Sequence, residues 1–149
     1  MAISPEMIRQ ATTTTSGSVS RSDGAGVLEI ACLAIVSDGN IAPEELAVLR
    51  TVGKDIGSAD NVEALVQKAA SLHSREAQLE RLREVAAGLS TEAARHLAYK
   101  VTVLTSVADL AASDEEFEFD LDLVDALQLS TDVADRLAGE VHEAVVMAE

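Results

Sequence analysis

Ser37-Asp38-Gly39-Asn40-Ile41-Ala42-Pro43-Glu44-Glu45 lies between a nearly continuous apolar run, residues 27–36, and an amphipathic run, residues 44–56. Gly39 offers the left-handed backbone that ends a helix, and Pro43 suits the first position of the next. The stretch therefore predicts helix, loop, helix. A degenerate copy stands at Ala108-Asp109-Leu110-Ala111-Ala112-Ser113-Asp114-Glu115-Glu116. In both, an acid closes an apolar helix, and a pair of Glu opens the next helix after the same number of residues.

A shift of 71 residues carries Asp38 onto Asp109 and Glu45 onto Glu116. It also sets Val52 on Leu123 and Ile56 on Leu127. After one inserted residue, Leu65 meets Leu137. The repeating unit is helix–loop–helix–helix, too long for a solenoid unit. Two copies related by a pseudo-twofold, with their apolar helices packed together, make a compact bundle. Three correspondences depart in chemical character. Gly39 becomes Leu110, Leu49 becomes Asp120, and Glu29 becomes Lys100. The last two opposite charges suggest a pair across the two central helices.

The rest of the chain agrees with an all-α bundle of about seven helices. Its 149 residues make one domain with a real core, and aromatics at 2% leave Ala, Leu and Val to fill it, which favours helix on helix. Residues 1–25 are expected to form a short helix at 5–11 and a flexible Ser/Thr-rich tether at 12–23, ahead of a helical domain at 26–149. In the helix from Pro43, steps of 100° put Glu45 on the apolar arc with Leu46, Leu49, Val52 and Ile56, and Glu44 off it. Asp60 with Glu63, and Ser113 with Glu116, have capping-box spacing. Ser74 opens a helix that Gly88 stops. Ser90 or Thr91 opens the second central helix, and Ser130 or Asp132 the last. Phe117-Glu118-Phe119-Asp120-Leu121-Asp122-Leu123 alternates like a strand. Phe117, Leu121, Val124 and Leu127 also form a helical arc, and a lone strand would have no partner, so the stretch is assigned to helix.

The formal net charge of −15 repels phosphate backbones and anionic lipid surfaces, and suits basic protein faces or metal ions. Cys32 is alone, so no intrachain disulfide forms, and in an apolar helix it reads as a small buried hydrophobe. The run at 27–36 is interrupted by Glu29 and too short to cross a bilayer, so direct membrane insertion is not expected. The N-terminus lacks signal-peptide patterning, which predicts a cytoplasmic location.

The two acidic loops, each following an apolar helix, resemble the tellurite-resistance TerB-like family, related to the N-terminal domain of membrane-anchored J-domain proteins. The residues that carry the resemblance are 37–45, Ala108-Asp109 and Glu115-Glu116, within residues 26–149. The resemblance implies an all-helical domain with internal two-fold pseudosymmetry. It implies Asp38, Glu45, Asp109 and Glu116 as the characteristic acids, with metal binding suspected there. It implies a role in tellurite or other stress response through protein partners, some membrane-associated, rather than through catalysis.

The residues leave three uses for these acids open. Asp38 and Asp109 sit at helix C-termini, where the dipole disfavours a carboxylate, so each could accept backbone N–H bonds while the Glu completes a cap. The four, with Asp120, could surround a divalent cation, because hard cations take oxygen ligands. Or they could meet a basic partner surface. No nucleophile elbow, phosphate-cradling glycine loop or Cys/His ligand pattern is present, and His73, His96 and His142 are scattered. The expected function is a non-enzymatic protein-interaction module without nucleic-acid binding. The alternatives are a divalent-cation sensor and, further off, a carboxylate-based hydrolase.

Overall fold

A helix with apolar side chains on every side must be surrounded to be stable. The computed structural model, which describes residues 5–13, 21–37, 43–55, 62–108 and 121–147, places two such helices at the centre. In α2 (Arg21–Ser37), Val27, Leu28, Ile30, Ala31, Cys32 and Leu33 are fully buried. In α6 (Glu92–Ala108), Ala94, Leu97, Ala98, Val101 and Leu104 are buried, and α2 packs directly on α6. Around them stand α1 (Pro5–Thr13), α3 (Pro43–Asp55), α4 (Val62–Ala70), α5 (Arg75–Ala87), α7 (residues 121–126) and α8 (Thr131–Met147). Helices α4 and α5 cover α2, helices α1 and α8 cover α6, and α3 touches both central helices. Every regular element among the described residues is a helix. Residues 117–120 lie outside them, and 121–123, the end of the alternating stretch, open a helix that runs to 126.

The helix ends follow local chemistry. Ser74 Oγ accepts the Ala77 amide at 3.1 Å, and Ser130 Oγ accepts the Val133 amide at 3.2 Å. Thr91 caps α6, its Oγ1 accepting the Ala94 amide at 3.1 Å. Ser90 is occupied elsewhere, with Oγ donating to Asp23 Oδ2 at 2.6 Å and its amide to Oδ1 at 3.1 Å. Gly88 does end α5, but at φ −81° and ψ −10°, so no left-handed residue is needed there. Among the described non-glycine residues the left-handed backbone falls instead on Gln128, at φ 58°. There the Leu129 amide donates to the Val124 carbonyl and the Gln128 amide to the Asp125 carbonyl, the two bonds of a Schellman motif with glutamine in glycine's usual place.

The expected short N-terminal helix forms, and both ends of the expected tether, residues 12–13 and 21–23, are helical. Helix α1 packs on α8, α3 and α6, burying Met7, Ile8 and Ala11. Its buried Thr12 is satisfied by donating to the Ile8 carbonyl at 2.9 Å. Helix α2 begins at Arg21, before the boundary placed after residue 25, and so takes in residues 21–23 of the expected tether. Asp23, only 4% exposed, is held there by Ser90 from the α5–α6 turn, an attachment that no local pattern reveals.

The two halves mirror each other in packing. The first central helix carries α4 and the second carries α8, the third helix of each repeat. The expected pairing of Glu29 with Lys100 does not form. Glu29 makes a two-point contact with Arg81 of α5, with Nη2 to Oε1 at 2.9 Å and Nε to Oε2, and it lies 3.9 Å from Lys68 of α4. Lys100, 1% exposed, has its Nζ 3.3 Å from Glu140 Oε2 on α8, an ion contact outside hydrogen-bond alignment. Under the repeat Glu29 corresponds to Lys100, and Lys68 to Glu140 once the inserted residue is counted. Each half thus holds the same pair with the charges exchanged, because each central helix turns that position toward its own half's third helix and not toward the other centre.

Candidate functional site

Helix α3 opens with Pro43, Glu44 and Glu45, where exposed amides and the helix dipole favour carboxylates. The 100° step separates the two acids. Glu45 is 2% exposed and Glu44 is open to solvent, as the periodicity predicts. The preceding helix ends at Ser37, whose Oγ donates to the Ala34 carbonyl at 2.8 Å. Asp38, Asp109, Glu116 and Asp120 lie outside the described residues, as does the cap position Asp60. Of the four acids expected to form a site, Glu45 alone is placed. As a buried oxygen donor its chemistry fits a hard cation. Among the described residues no three His, Cys, Asp or Glu side chains gather in a metal-holding group.

Other reactive groups have structural settings. Cys32 is buried, and its thiol is pushed up to about 12 by burial first, then by the charges of Glu29 and Glu63. It therefore stays a neutral thiol and makes a poor nucleophile or ligand. His73 and His142 are exposed. His96 Nε2 lies 3.4 Å from Glu92 Oε1 one turn earlier. Burial holds the His96 imidazole below its ordinary range, opposed by Glu92 and assisted by Arg136 and Arg95. On the surface, Arg50 Nε donates to Glu63 Oε1 at 2.7 Å and joins α3 to α4. That hydrogen bond is the largest cause holding the Glu63 carboxyl below its usual range.

One feature was not sought in the sequence. A cavity of about 330 Å³ opens where the end of α5 meets the start of α6 and the turn after α7. Arg83, Arg95 and Gln128 line it over a floor of Ala86, Ala87, Leu89 and Ala126. Arg83 lies on α5 and Arg95 on α6, 12 positions apart in the sequence. Neither has an acid at salt-bridging distance among the described residues, and that they line one cavity becomes visible only after folding.

No family model matches this chain, no curated protein does, and no solved structure does. Among the described residues no helix is long and apolar enough to cross a membrane.

Proposed function

We propose that this chain is a non-enzymatic, TerB-like helical module of a cytoplasmic stress-response or tellurite-resistance assembly. It docks to a protein partner with a basic surface, itself soluble or membrane-associated. A divalent cation at Asp38, Glu45, Asp109 and Glu116 orders the acidic loops for docking. The observation that supports this is Glu45. It is an oxygen donor of the kind that hard cations take, 2% exposed in the first turn of α3 beside the open Glu44. The surplus of acids over bases, 26 to 11, gives the module a field that attracts basic surfaces.

Calorimetric titration of the full chain with calcium, magnesium, manganese and zinc tests the cation. Saturable heat is expected for at least one ion, and its loss in the Asp38→Asn, Asp109→Asn double variant. No heat with any ion, or heat unchanged in that variant, removes the cation from the proposal. Docking is tested by retaining the tagged chain's partners at low salt and identifying those released at 0.5 M salt, where the Debye length is about 4 Å. A basic protein retained by this chain, and not by an unrelated helical protein of equal charge, is expected. Retention of the same proteins by both would reduce the effect to bulk charge.

A further inference from the structure

We propose that the cavity between α5, α6 and the turn after α7 binds a small organic dianion, a phosphate monoester or a dicarboxylate with a short apolar part. This is independent of the cation proposed above and opposite to it in sign. The cavity belongs to a chain of net charge −15, yet two guanidinium groups line it. Neither Arg83 nor Arg95 makes an ion pair with any described residue. The acids next to them in sequence are engaged elsewhere. Glu84 faces Arg81 at 3.6 Å and Glu92 faces His96 at 3.4 Å. Lys54 and Arg136 are likewise without an ion pair among the described residues, so what sets Arg83 and Arg95 apart is that the two line one cavity.

A third lining residue, Gln128, carries a second sign of use. Gln128 lies in the left-handed region, where a non-glycine residue costs about 1–2 kcal/mol. Glycine would serve the Schellman turn better, but it would remove an amide side chain from the cavity lining. Backbone strain of this kind gathers where a side chain is needed for binding. The planar fork of arginine fits the oxygens of carboxylate and phosphate two at a time, and two such forks match two negative charges. Ala86 and Leu89, both buried, with the half-buried Ala126 and the exposed Ala87, offer apolar surface to the remainder of a ligand. At about 330 Å³ the space is at the small end of ligand pockets, which suits a ligand of few atoms.

The test is an amide-resolved NMR titration of the full chain at fixed ionic strength with phenyl phosphate, glutarate, benzyl alcohol and sodium chloride. Saturable shifts at 83–89, 95 and 126–128 are expected with phenyl phosphate or glutarate, and the tighter of the two identifies the anion class. Benzyl alcohol and chloride are expected to leave those amides unshifted. Replacing Arg83 or Arg95 by Gln should weaken binding about tenfold each. Ala126→Leu, which keeps both charges and fills the floor, should abolish it. The site is refuted by non-saturable shifts with both anions, by shifts that chloride reproduces, or by affinities unchanged in Arg83→Gln/Arg95→Gln or in Ala126→Leu.

Discussion

Replacing Arg81 with Leu strands the Glu29 carboxylate inside the bundle. The side chain of Glu29 is 11% exposed, while that of Arg81 is 31% exposed. Removing one partner of a fully buried ion pair costs about 3–5 kcal/mol, because the remaining charge has neither water nor a counter-ion. Two features reduce that here. Arg81 sits partly in solvent, and the Lys68 ammonium stays 3.9 Å from Glu29. The expected loss is about 2–3 kcal/mol, which for a chain of this size lowers the melting temperature by about 5–10 °C. The reverse change, Glu29→Leu, is expected to cost less than about 1 kcal/mol, since Arg81 swings its freed head into water. The double variant is expected to be more stable than Arg81→Leu alone. Urea denaturation followed by far-ultraviolet circular dichroism measures all four proteins at pH 7. Equal losses in the two single variants, or a double variant as weak as Arg81→Leu, would refute the account of a buried acid held by a half-exposed cation.

Three further outcomes follow from particular contacts. Asp23→Ala is expected to destabilise the fold by about 2–3 kcal/mol, because it removes a charged acceptor for both the Ser90 amide and hydroxyl, whereas Ser90→Ala, which keeps the amide bond, costs about 1 kcal/mol. Chemical denaturation ranks the two. Gln128→Gly is expected to raise stability by about 1 kcal/mol by relieving the left-handed strain, read as a shift in the urea midpoint at unchanged slope. The third concerns pH. The His96 imidazole titrates below its ordinary 6.5 when folded, so the unfolded chain takes up the proton first. Its contribution is therefore complete above pH 6.5 and declines as the pH falls through that value. His96→Gln should flatten the stability profile on the acid side of pH 6.5, and an unchanged slope there would exclude His96 as its source.

Legibility in the sequence tracked the range of the interaction. The burial of Glu45 beside an exposed Glu44 was readable because both sit on one helix whose period is known. Ser74 was readable as a cap because a cap and the amide it accepts are three residues apart, whereas Ser130 was one of two candidates with Asp132. In one competing pair a distant residue decided. Ser90 and Thr91 were equal as caps until Asp23, 67 positions away, claimed Ser90. Glu29 and Lys100 were correctly matched by the repeat, yet their partners depended on which way each central helix faces.

The sequence by itself determined that the chain is helical, where most helices start and stop, and which two occupy the centre. Helical period, capping and all-round apolarity act within a few residues, so one dimension is enough to express them. The three-dimensional arrangement alone decided that Arg81 neutralises Glu29, that α1 lies on α8, and that Arg83, Arg95 and Gln128 share one cavity. These residues meet only because separate helices are brought together by burying their apolar faces. That force is non-directional, so it compacts the bundle without recording in any local pattern which charged side chains will end up side by side.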